Sequence, residues 1–404
     1  MEQRMACRLF KIGVAVIWSV SLIGCQTLVK DQGVLRVDSS QGIHSILSQT
    51  LLSAGGQKNG ALYTAGAMAG FAKSFQPAKY KVVRVRYATD RRAVESNSDE
   101  VFGGEPGTMS YGSCHVSIPS VHRIGEIESP SLLKWEFTED PKKHVVVLRT
   151  ELEPAASFFE GIASDISATP EQSALIFVHG YNVSFVDAAR RTAQMADDLQ
   201  FSGVPVFFSW PSRAKYQSYT VDERNIEWAE LDIKDFLRDF MEKTKATHVY
   251  LVAHSMGTRG LTRALAALST ERPELLEKIK GLILAAPDID AEVFRRDIAP
   301  KLVSQGRSFT LYASSNDKAL RASKMIHGYS RAGESGKGIV VVDGMDTIDA
   351  SKVDTDLVGH SYFGSTRTII TDMHYLFRGA PPPDKRSGLE SIGVPPDKYW
   401  YIKP

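Results

Sequence analysis

The sequence contains little cysteine and almost no excess of either charge. Three cysteines occur among 404 residues, and 48 basic against 47 acidic side chains leave a formal net charge of +1. A near-neutral chain exerts no general attraction on nucleic acid, so we expect no nucleic-acid partner. The sequence also has no His-Glu-x-x-His motif and no cysteine–histidine cluster, and we therefore expect neither a metal nor another cofactor.

Long hydrophobic runs are also scarce. An apolar run from Ile12 to Ile23 is too short for a confident membrane span. Basic residues precede this run, and Gly24-Cys25 follows it. The arrangement resembles a bacterial lipoprotein signal peptide over residues 1–24, which is cleaved before a cysteine that then receives a lipid. An uncleaved signal anchor and a plain secretory signal are the alternatives.

Lipidation of Cys25 would make the membrane a partner of the protein. Gln26 follows this cysteine, where an aspartate would indicate retention at the inner membrane. We therefore expect an anchor in the cell envelope, at the periplasmic face of the outer membrane if the cell is Gram-negative. Cys7 would leave with the signal, and Cys114 would then have no disulfide partner, so a packed core must stabilise the fold.

The remaining sequence divides into three regions. Residues 25–79 form an uninformative linker or extension, residues 80–380 an α/β region, and residues 381–404 a proline-rich tail. We expect the tail to be either an extended arm packed by its aromatic residues or a mobile end.

Strand-like and helix-like segments alternate through residues 174–375, which is typical of a mostly parallel sheet with helices on both faces. The first strands of the sheet are expected within residues 80–150. Residues 89–107 are polar and rich in glycine, and we predict a loop there. We predict a helix over residues 291–303 and the last strand of the block over residues 338–342.

One segment, residues 248–257, contains a candidate catalytic nucleophile. An apolar, β-branched run ends in Ala253-His254-Ser255-Met256-Gly257, and a helix-forming run follows at once. This is the order of a nucleophile elbow, a sharp strand-to-helix turn in which the residues two positions from the serine must be small. Ala253 and Gly257 meet that requirement, although the usual pattern has glycine at the first position. The alternative is a buried serine in an ordinary turn.

A serine nucleophile needs a histidine base and an acid to orient it, and with this elbow they follow in the order serine, acid, histidine. Three of the ten histidines come after Ser255, namely His327, His360 and His374. His327 and His374 fall in helix-like segments. We therefore predict His360 as the base, because it lies in a loop after the last predicted strand.

Two aspartates are candidates for the acid. Asp317 follows the predicted strand at residues 308–313, two strands beyond the elbow, and is preferred. Asp288 follows the intervening strand and is the alternative acid. Either carboxylate could instead cap the N-terminus of a helix.

The negative charge that develops on a substrate carbonyl needs backbone N–H donors, which together form an oxyanion hole. The N–H of Met256, directly after the serine, is the first predicted donor. The second should come from the residues after the first strand of the alternating block, His179-Gly180-Tyr181-Asn182. We predict Tyr181, with Asn182 as second choice. Four aromatic residues could line an acyl pocket or pack in the core: Trp210, Tyr216, Tyr219 and Trp228.

Several segments together resemble the bacterial α/β-hydrolase family DUF900. They are residues 87–92, 112–119, 177–185 (F-V-H-G-Y-N-V-S-F), 208–212, 253–257, 285–290 and 360–363. The resemblance covers about residues 80–375 and implies an α/β-hydrolase fold with a catalytic triad, carried onto Ser255, Asp317 and His360. It does not imply a substrate, because the fold hosts many activities.

These features predict a lipid-anchored serine hydrolase, most simply one that cleaves a small-molecule or lipid carboxylic ester through an acyl-enzyme. Acyl transfer and peptide hydrolysis could use the same triad and stay open. A non-catalytic envelope lipoprotein that uses the scaffold for binding is the alternative from a different class.

Overall fold

The computed structural model describes residues 79–94, 101–131, 135–303, 307–353 and 367–403. The predicted signal peptide, Cys25, all but the last residue of the predicted extension, and His360 lie outside these residues. The described residues belong to one compact unit. Among them, no helix is both long enough and apolar enough to cross a bilayer.

One sheet of eleven strands organises this part of the chain. The strands are β1 Tyr80–Ala93, β2 Phe102–Pro119, β3 Val146–Glu153, β4 Ser173–Val178, β5 Val204–Ser209, β6 His248–His254, β7 Ile279–Ala285, β8 Ser308–Ala313, β9 Asp346–Asp349, β10 Leu389–Ile392 and β11 Tyr399–Ile402. The helices of ten or more described residues are α1 Ala155–Ser167, α2 Phe185–Asp198, α3 Tyr219–Lys243, α4 Gly257–Glu271, α5 Lys318–His327 and α6 Arg367–Phe377.

The order across the sheet is β10-β11-β9-β8-β7-β6-β4-β5-β1-β2-β3. From β11 through β9 to β1, each strand runs parallel to its neighbours, whereas β2 and β3 extend the sheet antiparallel at one edge and β10 does so at the other. The predicted mostly parallel sheet is therefore confirmed. The carboxyl ends of the central strands meet at one edge, where parallel sheets of this kind bind ligands.

Apolar side chains cover both faces of the sheet. Alternate residues of β4 belong to two separate cores, with Ile176 in one and Leu175 in the other. Helix α3 contributes Ile233 to the first core, and α6 contributes Ile370 to the second. Because strands such as β4 are buried on both faces, they read in the sequence as continuous apolar runs.

The loop predicted over residues 89–107 is wrong for most of its length. Strand β1 continues to Ala93 and β2 begins at Phe102, so much of this segment is a long hairpin. The register shifts between Thr89 and Arg91, and again before Ala93. Such irregularities break the period of two, and the buried charge of Arg91 hides the strand further.

Two other predicted elements also differ from the structure. Residues 338–342 are not a strand; β9 lies at Asp346–Asp349, and Thr347 donates its hydroxyl proton to the Val340 carbonyl at 2.7 Å. The helix predicted over residues 291–303 is present over residues 291–302, but a π-helical turn at Phe294–Ile298 interrupts its α-helical geometry. The proline-rich tail adds strands β10 and β11 beside β9.

Candidate active site

Ser255 occupies the turn between β6 and α4 with a backbone φ of +51° and an exposed fraction of 2%. This left-handed region is unfavourable for a residue with a Cβ, so the surrounding contacts must hold it there. The N–H of Ser255 donates to the Ala285 carbonyl at 2.9 Å, and the Ser255 carbonyl accepts from Thr258 Oγ1 at 2.6 Å. A strained serine on a sharp strand-to-helix turn is the geometry of a nucleophile elbow.

Two glycines allow the segment after β4 to approach this turn. A Cβ placed on Gly257 would lie 2.1 Å from the His179 carbonyl oxygen, and one on Gly180 would lie 3.0 Å from Ser255 Cβ. Any larger residue at either position would force the two segments apart. The small residue expected at position 257 is thus required by contact with the neighbouring segment.

The predicted oxyanion donors lie on these two segments. Among the described residues, neither Met256 N–H nor Tyr181 N–H has a hydrogen-bond acceptor. The Asn182 N–H donates to Asp222 Oδ2 at 3.3 Å and is therefore committed to the fold. Of the two residues considered for the second donor, Tyr181 is the one whose N–H has no acceptor among the described residues.

The ring of His179 holds the loop after β4 in place. Its Nδ1 donates to the Gly180 carbonyl at 2.8 Å, its Nε2 accepts from Arg91 Nη2 at 3.2 Å, and its ring stacks on Trp210 with 5.0 Å between centroids. Burial, and then the charge of Arg91, hold the pKa of His179 well below its ordinary value. The ring is consequently neutral, and it fixes the loop without accepting a proton.

Asp317 lies at the N-terminus of α5, four residues beyond the end of β8. Its Oδ1 accepts from the N–H groups of Ala319 and Leu320, each at 2.9 Å. Because β8 and β6 are parallel and separated only by β7, Asp317 and Ser255 follow carboxyl ends at the same edge of the sheet.

Asp288 has a different environment. Its Oδ2 accepts from Tyr219 Oη at 2.6 Å and from Arg259 Nη2 at 3.2 Å. Its Oδ1 accepts from Ser323 Oγ at 2.5 Å and lies 3.3 Å from Arg331 Nε. Burial alone would raise the pKa of Asp288, but the nearby Arg259 and these hydrogen bonds lower it. The carboxylate is ionised and both its oxygens are engaged.

Of the three histidines after Ser255, two lie among the described residues. His327 ends α5, where its Nε2 lies 2.7 Å from Glu223 Oε1, and His374 in α6 bonds through Nδ1 to the Leu199 carbonyl at 3.1 Å. Both lie on helices, as predicted. His360, the predicted base, falls between β9 and α6 in the sequence, outside the described residues.

Comparison with known proteins identifies the family of the chain. Residues 155–376 match the family described as "Alpha/beta hydrolase of unknown function (DUF900)". The chain belongs to this family. The predicted α/β-hydrolase fold is confirmed by this match together with the sheet topology. Among curated proteins, the comparison finds no match.

Solved hydrolases are similar only at low identity. A predicted CIB-like hydrolase from Thermoplasma acidophilum has 13% identity and a TM-score of 0.30, covering 57% of this chain and 90% of its own. An esterase from Rhizomucor miehei has 12% identity and a TM-score of 0.31, covering 84% and 96%. The esterase Est22 has 10% identity and a TM-score of 0.32, covering 82% and 96%.

A cavity of about 560 Å³ opens beside the elbow of this α/β-hydrolase. Gly180, Tyr181 and His254 line it from the site, and Tyr216 and Tyr219 supply aromatic walls. Trp210, in contrast, is fully buried, and its Nε1 donates to the His179 carbonyl at 2.7 Å. Trp228 is exposed on α3. The four predicted aromatic residues therefore divide into two cavity residues, one core residue and one surface residue.

Sequence reasoning did not single out two arginines that organise the site. Arg91 is buried, and it donates to the carbonyls of Gly103, Ser212 and Val183 as well as contacting His179. Arg259 on α4 joins Asp288 to Glu223. Residue type does not reveal such roles, because most arginines are exposed. For Arg91 the available signal was its place in segment 87–92, one of the segments that carry the family resemblance.

One acidic group with a histidine lies away from the elbow. His122, Asp197 and Asp198 have side-chain atoms close enough to hold a metal ion. Their polar atoms are already engaged, since His122 Nδ1 lies 2.8 Å from Glu128, its Nε2 lies 3.0 Å from Asp198, and Lys81 pairs with Asp197. We interpret the group as an ion-pair cluster that ties the segment after β2 to the end of α2.

Proposed function

We propose that the protein is a serine hydrolase that cleaves carboxylic esters. The observation that carries the proposal is the strained Ser255 in contact with a loop whose Tyr181 N–H, like that of Met256, has no acceptor among the described residues. Ser255 Oγ attacks the acyl carbon, and His360 takes the proton and returns it to the leaving alcohol. The two N–H groups bind the oxyanion, and water then releases the acid from the acyl-enzyme.

Asp317 is the proposed acid, and Asp288 is not. A triad carboxylate must accept the N–H of the imidazole. Both oxygens of Asp288 are occupied by two arginines and two hydroxyl groups, so neither is available to an imidazole N–H. Asp317 is the other candidate, and it follows β8 at the edge of the sheet where Ser255 follows β6. The charge of Asp288 instead stabilises the contact between α4, α5 and the segment after β7.

The first experiment is labelling with a fluorophosphonate probe, with p-nitrophenyl esters of increasing chain length assayed on the same samples. Ser255→Ala should abolish labelling and lower kcat by at least about 10⁴-fold. Ser173→Ala is the matched control, because Ser173 is also buried but lies on β4 away from the site. Absence of labelling in folded wild-type protein would refute the hydrolase and favour a protein that only binds.

The partners of the nucleophile are tested by two pairs of variants. His360→Ala should lower kcat as Ser255→Ala does, whereas His374→Ala should not. Asp317→Asn should lower kcat by about 10⁴-fold, since the wrong tautomer of the histidine is then favoured. Asp288→Asn should leave kcat within about tenfold once folding is confirmed. The reverse ranking of the two aspartates would overturn the assignment.

We further propose that Cys25 carries a lipid and anchors the protein in the cell envelope. The support is the basic start, the short apolar run and the cysteine that follows it. Metabolic labelling with palmitate should mark the wild-type chain and not Cys25→Ser, while Cys7→Ser should be labelled normally. Equal labelling of wild type and Cys25→Ser would exclude this site.

A further inference from the structure

Helix α5 presents three distinct faces. Leu320 and Ser323 are buried against the fold. Ala319, Ala322 and Ile326 line the cavity beside Ser255. Arg321 and Met325, four residues apart, point outward into solvent. The helix thus forms one wall of the cavity and at the same time an external surface at its mouth.

Large apolar side chains are exposed around this mouth. Met325 is 85% exposed and Tyr329, just beyond the end of α5, is 67% exposed. Tyr216 is 64% exposed, and it lines the same cavity as α5. Apolar groups that are exposed together usually mark a surface of interaction, whereas single ones need no explanation.

The charges that α5 adds to this surface are positive, and Asp187, the acidic residue among those lining the cavity, is paired with Arg190. Helix α5 contains Lys318, Arg321 and Lys324 and no acidic residue. Lys324 pairs with Glu334 at 3.2 Å, but Lys318 and Arg321 form no ion pair with a described residue, and neither does Lys215 beside Tyr216. Lys318 begins the helix, where a cation is unfavourable for the helix dipole, so helix stability does not explain its charge.

We propose that this mouth surface, formed by Lys215, Tyr216, Arg321, Met325 and Tyr329, docks onto a bilayer that contains anionic lipid. Apolar tips that enter the acyl boundary, with cations that meet the headgroups, are the features of an interfacial site. Docking in this orientation turns the opening of the cavity toward the lipid. The proposal goes beyond ester hydrolysis and does not depend on the reactivity of Ser255.

The test uses the chain from Gln26 to Pro404, which keeps the whole compact unit and removes Cys7 and Cys25. An environment-sensitive fluorophore is attached at Met325→Cys, since the remaining Cys114 is buried. Phosphatidylcholine vesicles with phosphatidylglycerol should shift its emission to shorter wavelength, and pure phosphatidylcholine vesicles should not. The matched control is Val394→Cys, which is 75% exposed on the C-terminal segment and should show no shift.

Affinity for the anionic vesicles provides the second readout. Lys215→Gln/Arg321→Gln should weaken binding by about 25-fold, at roughly fivefold for each cation removed. Lys245→Gln/Lys301→Gln, an equal charge change at exposed residues that precede β6 and β8 and so lie at the opposite edge of the sheet, should leave binding unchanged. Equal shifts at positions 325 and 394, equal shifts with both lipid compositions, or equal weakening by both double variants would overturn the proposal.

Docking and hydrolysis can fail independently in these experiments. Ser255→Ala should bind vesicles as wild type does, because its side chain is not part of the mouth surface. A normal shift without ester turnover would refute the hydrolase only. Ester turnover without the shift would refute the docking surface only.

Discussion

Gly257→Ala is a sensitive test of how the elbow is built. The new methyl group would lie 2.1 Å from the His179 carbonyl oxygen and 3.0 Å from the Val178 carbonyl oxygen. Ordinary contact begins at 3.4 Å, so the first distance is short by about 1.3 Å. Both obstacles are backbone atoms, and no side chain can rotate away to relieve them. The segment that carries Tyr181 must therefore move away from Ser255.

Two opposing effects determine how much Gly257→Ala changes the free energy of unfolding. Alanine favours helix over glycine by about 1 kcal/mol, and by less at the first helical residue, where position 257 lies. Overpacking of this kind costs about 1–3 kcal/mol. We therefore expect net destabilisation by about 1–2 kcal/mol. A displacement of about 1 Å in the oxyanion donors should also lower kcat about 100-fold.

The assay combines urea unfolding with turnover of a short-chain ester by the folded variant. Gly338→Ala is the matched control, because its Cβ would meet only Ser330 Oγ, at 3.9 Å. The control should keep both wild-type stability and wild-type kcat. If Gly257→Ala is as stable and as active as Gly338→Ala, the close approach of the two segments is not what positions the site.

Two further predictions concern charged groups. Burial alone would lower the pKa of His122, but its bonds to Asp198 and Glu128 outweigh this and raise the pKa to about 9. A folded pKa above the unfolded value of about 6.5 gives stability that is complete below pH 6.5 and lost as the pH rises through 9. Urea unfolding should thus show a larger loss between these pH values in wild type than in His122→Gln, and parallel curves would contradict this. Asp288→Asn should lower the free energy of unfolding by about 3–5 kcal/mol, because Arg259 and Arg331 lose a buried partner. Asp317→Asn should cost about 1 kcal/mol or less, since asparagine also caps helices; equal losses in the two variants would contradict the distinction.

The central sheet was the most predictable part of the molecule. Strands β4 and β6 are buried on both faces, so their apolar runs are long and uninterrupted. The elbow was predictable for a related reason. Close approach of the β4 and β6 segments demands a small residue at position 257, and that demand is visible in the sequence.

The strands at the edges of the sheet were less predictable, because contacts with segments distant in the sequence decide where these strands form and end. Irregular register and the buried charge of Arg91 conceal the end of β1. Strand β11 forms by pairing with β9 and β10, and local sequence does not reveal the contact with β9. Sequence order alone also left Asp288 open as the acid, whereas its contacts with Arg259 and Arg331 distinguish it from Asp317.

The left-handed backbone of Ser255 has a consequence for how this sequence can evolve. A residue with a side chain at φ +51° carries a cost of about 1–3 kcal/mol that glycine largely avoids. With Ser255 as the proposed nucleophile, stability and turnover therefore favour different residues at this position. A laboratory library enriched only for heat resistance should replace the serine with glycine, and only a selection that rewards turnover should retain it.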